Sequence, residues 1–463
     1  MFTDLKPYPD YRESGSRMLG LVPSGWTVRP MRTFLTARTG RNRPDLPLLS
    51  VARERGAFVR GVDDDNHNVI PEDLTGYKIA LAGDLVINKM KAWQGSLGLA
   101  PCDGIVSPAY YVFEFAMSNR YFGQALLRSR PYVGEFAAAS DGVRIGQWDL
   151  SVSRLRKMPV VVPPSEEQAA IVKYLGHANA RIDRAIAAKR RLIALLEEQK
   201  QAVINQAVAH GLDPVVPMKD SGIPWLGPIP VHWNVRRAKY LFRDMDARSE
   251  TGLEEQLSVS HLTGVTPRRL KNITMFKAAS YVGHKTCRAG DLVVNTMWAW
   301  MGALGCAREA GLVSPAYNVY RPLQGSGADT EFVGALFRTP TYIAYFRSNS
   351  TGVRASRLRF YPDELLATPV VLPPRDEQAA IVLAIEDLRG RVAADLEKVV
   401  REIELLREFR TRLTADVATG QIDIRDVASR LPELDPADLV SDPGPDEDDL
   451  EAELAASLEE VDA

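Results

Sequence analysis

Cysteine is scarce: Cys102, Cys287 and Cys306 are the only three in 463 residues, and no two of them form a CxxC pair. That argues against a disulfide framework and a cysteine zinc site, and for a reducing compartment. The six histidines, at 67, 177, 210, 232, 261 and 284, make no HExxH or other ligand pair. No GxxxxGK[ST] occurs, the Gly283-His284-Lys285-Thr286 stretch is too short to cradle phosphates, and no GxGxxG follows a strand-like run. An Asn/Asp-Pro-Pro-aromatic methyltransferase signature and a nuclease-like carboxylate–lysine cluster are also missing. Residues 63–68 (Asp-Asp-Asp-Asn-His-Asn) lack the glycine and closing glutamate of a calcium loop, and read as a solvated loop. Residues 292–307 are uncharged for 16 positions but contain Asn295, Thr296 and two glycines. They fall short of the roughly 20 apolar residues of a membrane span. The N-terminus has no basic-then-apolar leader. A cytoplasmic protein is expected, and a binding subunit fits these absences better than an enzyme.

Charge is unevenly placed. The formal net charge is −2, yet from Pro432 onward there are 13 acidic residues and no Lys or Arg, which leaves the preceding residues near +11. A basic body of this kind suits a polyanion partner. The acidic tail either limits non-specific contact or serves as a disordered solubilising end.

The sequence says the same thing twice. Residues 83–114 (GDLVINKMKAWQGSLGLAPCDGIVSPAYYVFE) and 290–321 (GDLVVNTMWAWMGALGCAREAGLVSPAYNVYR) share 19 of 32 positions at an offset of 207. Residues 159–172 and 369–382, each built on PPxxEQAAIV, share 11 of 14 at an offset of 210. Leu19-Gly20 and Trp26 align with Leu226-Gly227 and Trp233, and Gly142-Val143-Arg144 aligns with Gly352-Val353-Arg354. Solenoid periods are about 20–50 residues, so this is duplication of a whole domain. Between residues 32 and 79 the copies hardly resemble residues 239–288, which reads as a shared framework carrying a divergent insert.

After each Pro-Pro pair the pattern turns helical. Ser165 with Gln168 makes a capping box, and Asp376 can cap the second copy. Leu175, Ile182, Ile186, Leu192, Leu196 and Val203 form one apolar stripe. Ile385, Val392, Val399, Leu406 and Leu413 recur at seven-residue spacing, with Leu388, Leu396, Ile403 and Phe409 beside them. Each helix is expected to run about 45 residues, or roughly 65 Å, and to end near Gly211 and Gly420. Two such helices can pair antiparallel and hold the domains at opposite ends; the alternative is that each packs on its own domain. The expected fold is α+β: a first globular domain at 1–163, a helix at 164–211, a second domain at 212–373, a helix at 374–420, and an acidic, disordered tail at 421–463.

Arg144 and Arg354, each after Gly-Val and followed in the second copy by Arg357 and Arg359, can reach a phosphate, pair with guanine edges, or tie domain to helix. Retention in both copies favours phosphate. Lys89, Lys91 and Trp298 differ between copies, as sequence-reading positions should, whereas the aligned Trp93 and Trp300 are expected in the core. In the divergent stretches, Arg38, Arg41, Asn42, Arg43, Arg53 and Arg55, then Arg268, Arg269, Lys271 and Asn272, are candidates for base discrimination.

The doubled LG…P…W, GDLV…N…SPAY, G-V-R and PPxxEQ-AAI pattern, over residues 15–425, resembles the specificity subunit of type I restriction–modification systems. The resemblance implies a DNA reader without chemistry of its own. Each recognition domain would read half of a split, asymmetric site on double-stranded DNA. The helices would space the domains and dock two methyltransferase subunits, which motor–nuclease subunits can join. No cofactor is expected on this chain; S-adenosylmethionine, ATP and Mg would sit on the partners. A coiled-coil scaffold, or a DNA-acting enzyme with an unrecognised site, is the alternative.

Overall fold

The computed structural model describes residues 5–53, 55–61, 73–142, 148–270, 280–352 and 358–434. The fold is α+β, as expected. The described residues form two compact units: residues up to 190 with 399–434, and residues 191–398.

Each unit centres on a four-stranded antiparallel sheet. In the first the order is Leu35–Ala37, Tyr110–Phe115, Leu85–Asn88, Leu97–Leu99; in the second it is Phe242–Met245, Tyr317–Pro322, Leu292–Asn295, Leu304–Cys306. The GDLV runs supply the central strands because every residue of Leu85–Asn88 and of Leu292–Asn295 is buried, which suits β-branched and leucine side chains covered on both faces. The Gly-Asp ahead of each strand makes the turn. Gly83 and Gly290 take φ of 83° and 88°, where a side chain would be strained. The carboxylates of Asp84 and Asp291 accept from the backbone N–H of Leu81 and Arg288, both at 2.8 Å. Each buried carboxylate also meets an arginine, drawn from a different segment in each copy: Arg38, just after Leu35–Ala37, for Asp84, and Arg321, in Tyr317–Pro322, for Asp291. A buried carboxylate needs such a partner, and the two copies supply it from different places.

The stretch that looked like a divergent insert carries the same elements in both copies. Hairpins form at Leu49–Ala52 with Gly56–Val59, and at Leu257–Ser260 with Gly264–Pro267. Lys78–Ala80 pairs with Gly104–Val106 as Lys285–Cys287 pairs with Gly311–Val313. A strand keeps its place when alternate positions stay apolar. Leu49 and Val51 against Leu257 and Val259 meet that condition while the outward residues drift.

The long helices are Ser165–His210 and Arg375–Ala418, of 46 and 44 residues. The first ends against Gly211 (φ 85°), and the second is followed by Gly420 (φ 78°). The expected capping box is not formed. Gln168 instead donates from Nε2 to the Pro163 carbonyl (2.9 Å) and accepts on Oε1 from the Asn119 N–H (3.1 Å). Gln378 repeats this with the Pro373 carbonyl and the Asp329 N–H. The glutamine therefore ties the start of the long helix to the start of the short helix Arg120–Leu127 or Thr330–Phe337.

Within each unit, segments of both long helices pack on the domain core and on one another. In the first unit Ile171, Tyr174, Leu175 and Ala178 share the domain core with Leu413, Val417 and Ala418. Asp183 pairs with Arg410 at 2.8 Å and Lys189 pairs with Glu402, so the two segments run antiparallel. In the second unit Ile204, Ala207 and Val208 meet Ile381 and Ile385 over the other core. The second helix keeps its heptad stripe, apart from the exposed Phe409. The first departs from the expected stripe: Leu192 and Val203 are exposed, while Ile204 is buried and Ile193 and Leu196 half-buried. Adjacent apolar pairs (Leu192-Ile193, Val203-Ile204) let sequence spacing point to the wrong member. Continuing the spacing of Ile182 and Ile186 selects 193, 196 and 204.

Residues 421–434, at the head of the expected tail, pack on the first unit. Asp423 bridges Lys6, Lys173 pairs with Glu433 at 2.6 Å, and the His177 ring meets the Pro432 carbonyl at 2.9 Å. From residue 435 the tail lies outside the described residues, as does the acidic run at 63–68.

Candidate functional site

The buried strands Leu85–Asn88 and Leu292–Asn295 end in the same device. The Asn88 and Asn295 side-chain carbonyls accept from the N–H of Met90 (3.2 Å) and Met297 (3.1 Å). The chain then turns through the short helices Ala92–Gln94 and Ala299–Met301 and leaves on a left-handed glycine, Gly95 or Gly302. This side-chain-to-backbone turn presents the residues just after each Asn. Trp93 and Trp300 are held here by their indole N–H groups, on the carbonyls of Met90 (3.0 Å) and Met297 (2.8 Å). Both are half-buried and outside the main cores, which corrects the expectation that they are core residues. The polar edge of an indole needs a partner that the apolar cluster does not offer.

An aromatic pair flanks each turn. Trp93 lies 5.4 Å from Trp148, and Trp298 stacks on Trp300 at 5.8 Å, with the Arg347 guanidinium 5.9 Å from the Trp300 ring. The segments that follow the G-V-R positions in sequence are anchored at the same place. Leu150 N–H donates to the Lys89 carbonyl (2.9 Å) while Lys89 pairs with Asp149 (2.9 Å). In the second copy Phe360 N–H donates to the Thr296 carbonyl (2.9 Å), beside the Thr351–Arg359 bridge. Arg144, Arg354 and Arg357 themselves lie outside the described residues, as do Lys271 and Asn272.

A cation cluster completes the first site. Arg41 and Lys78 face one another across an antiparallel bridge, and Lys78 Nζ donates to the carbonyl of Tyr110, the register partner of Asn88. Burial, then the charges of Arg41 and Lys89, hold the Lys78 ammonium below the usual lysine range. Its hydrogen bond to Asp149 does the reverse for Lys89. Arg41 and Lys91 are exposed, and among the described residues neither side chain makes a hydrogen bond or ion pair. The second copy has Arg248 and Lys285 in the same bridge, but there Asp246 pairs with Arg248 at 2.9 Å and lies 3.7 Å from Lys285. The Arg41–Lys78 pair thus has no carboxylate partner among the described residues, while its counterpart in the second copy is partly neutralised. Two copies of one scaffold present different charge at equivalent positions.

The other sequence candidates are placed elsewhere. Asn42 takes φ 68°, and Arg43 pairs with Asp45 at 2.7 Å on the exposed stretch after Arg41. Arg53 and Arg55 sit on the first hairpin turn, where Arg128 donates to the Arg53 carbonyl (2.6 Å) and Arg55 lies 3.8 Å over Phe58. Arg268 donates to Gln256 at 3.1 Å, and Arg269 pairs with Glu255 and Glu309. Arg38 is taken up by Asp84. Sequence reasoning missed Lys78, Trp148, Arg248 and Lys285. The pairs Arg41/Arg248 and Lys78/Lys285, at the repeat offset of 207, were the available signal, inside a stretch that otherwise looked unrelated.

Among the described residues no three His, Cys, Asp or Glu side chains are grouped to hold a metal ion, and no helix is long and apolar enough to cross a membrane. No family model matches the sequence. Of solved structures, one described as the structural basis underlying complex assembly and conformational transition of the type I R-M system aligns with 86% of this chain and 98% of its own, at 15% identity and TM-score 0.55. The HsdS subunit from Thermoanaerobacter tengcongensis aligns at 16% identity and TM-score 0.45, covering 86% of this chain and 96% of its own. A type I restriction–modification S subunit from M. genitalium aligns at 10% identity and TM-score 0.30, covering 89% and 97%. The expected resemblance holds at the level of the fold, in the chain of the type I R-M system aligned at TM-score 0.55.

Proposed function

We propose that the chain is the DNA-reading specificity subunit of a type I restriction–modification complex, without catalysis of its own. One observation carries this reading: the same strand-end turn, with its aromatic pair and flanking cations, is built twice and charged differently each time. Lys, Arg and aromatic side chains at the end of a rigid strand suit phosphate positioning and base-edge contact. Two unlike readers on one scaffold suit a split, asymmetric site. Lys89, Lys91 and Arg41 in the first copy and Trp298 in the second are the foremost contacts, with Arg144 and Arg354 on phosphates. The long helices act as the spacer. Their exposed apolar residues, Leu195 (52%) on the first and Leu383 (66%) and Leu405 (55%) on the second, suit docking of two methyltransferase subunits. Those partners would bring S-adenosylmethionine, and motor–nuclease subunits ATP and Mg.

The test replaces residues 15–158 with the equivalent region of a related chain and maps methylated sites in cells that also express the methyltransferase. One half-site should change and the other persist. A map in which both halves change together rejects modular reading, and purification from the native host without a methyltransferase partner rejects the complex.

A further inference from the structure

The second unit contains a cavity of about 350 Å³ between its hairpin turn, the short helix Thr330–Phe337 and the second long helix. That volume lies at the lower end of small-molecule sites, roughly 300–1,000 Å³. Three arginines and two glutamates line it. Both carboxylates are taken by one arginine: Arg308 meets Glu331 at 3.0 Å and Glu386 at 2.9 Å. Arg338 has only neutral acceptors, the carbonyls of His261 (2.6 Å) and Leu262 (2.7 Å). The exposed side chain of Arg389, on the second long helix, makes no hydrogen bond or ion pair among the described residues, although the charges of Glu331 and Glu386 act on it. Burial, then the charge of Arg389, push the Arg338 guanidinium down to about 10. A desolvated, uncompensated cation of this kind is costly without a counter-anion.

The duplication supplies an internal control. Gly334 occupies the position of Gln124, whose side chain accepts from the Leu99 N–H at 2.7 Å and so lies over the strand. Arg389 occupies the position of Asn179, Arg308 that of Pro101 and Glu386 that of Gly176. Within one scaffold, the second copy has lost the filling side chain and gained two of the arginines.

We propose that this cavity binds a small organic phosphate, with the phosphate on Arg338 and Arg389 and the apolar body against Val265, Val382 and Ile385. Guanidinium forks match phosphate oxygens, and the aliphatic lining accounts for an organic rather than an inorganic ligand. The site is independent of the DNA reading.

Phenyl phosphate titrated into the full chain, followed by calorimetry, is the test, with inorganic phosphate and benzoate in parallel. We expect saturable binding of one equivalent, at least tenfold weaker for inorganic phosphate and for benzoate. Gly334→Gln restores the residue of the first copy. Its Cβ would lie 3.3 Å from Cys306 N and 3.4 Å from Gly305 Cα, so the backbone must yield by a few tenths of an ångström. Arg389→Asn is therefore the second variant, and each should reduce affinity at least tenfold with the thermal transition of Arg389→Asn unchanged. No saturable binding overturns the proposal, as does tighter binding of benzoate. Binding that survives both variants but is lost in Arg41→Gln/Lys91→Gln would place the phosphate on the DNA face and equally overturn it.

Discussion

The Trp26 indole N–H donates to Glu167 Oε1 at 3.1 Å across 141 residues of sequence, and Trp233 makes the same bond to Glu377. The pair joins the start of each unit to the start of its long helix, and explains why the tryptophan and the PPxxEQ glutamate recur together. In the first unit Tyr8 also donates to Glu167, and all three side chains are buried. Glu167→Ala would leave two buried donors without an acceptor, at a cost of about 2–4 kcal/mol. Urea unfolding should show the loss in the first unit's transition while the second unit's is unmoved. A loss below about 1 kcal/mol would mean that water replaces the carboxylate.

Lys78 provides a pH test. Its folded-state pKa lies below the ordinary value of 10.5, so the unfolded chain holds this proton more tightly. The resulting penalty is complete at pH below the folded value and is relieved as pH rises toward 10.5. Subtracting Lys78→Met from the parent should therefore give a stability difference that moves in favour of the parent over that window. A flat difference refutes the burial argument. In DNA binding, Arg41→Gln should lower the salt slope by about one counterion. Arg144→Ala and Arg354→Ala should do the same without changing the preferred sequence; an altered methylated motif at unchanged affinity would make them base readers.

Legibility followed the strength of local constraint. Local constraint is strongest after Gly-Asp, in the strand Tyr110–Phe115 and in the short helix behind Asn119, where turn, strand and cap residues agree with the fold. The region 32–79 was not, since a strand that needs only Leu49 and Val51 inward leaves little shared sequence. Gln168 misled because its side chain satisfies a tertiary partner, the Asn119 N–H, rather than its own helix. Lys78 was invisible as a site residue until strand pairing brought its ammonium to the Tyr110 carbonyl.

Removing residues 435–463 takes 12 acidic side chains from the chain and keeps the Glu433–Lys173 contact. Specificity should persist, and non-specific DNA affinity should rise, most at low salt. The measurement is binding to unrelated duplex at several salt concentrations. A truncated chain that no longer assembles with its methyltransferase would identify the segment as a docking element instead.

If the long helices space the two readers, helix length sets the gap between half-sites. Four residues inserted after Ala188 add about one turn, or roughly 6 Å, and rotate the following stripe by only about 40°. Ile193, Leu196 and Ile204 then stay near the buried face. At about 3.4 Å per base pair the preferred gap should widen by one or two base pairs, with both half-site sequences unchanged. A two-residue insertion instead turns the stripe by about 200°, puts Ile193 and Ile204 into solvent, and should destabilise the chain. A methylome of cells expressing each variant with its methyltransferase reads both results. An unchanged gap in a folded, active four-residue variant would show that something other than these helices sets the spacing.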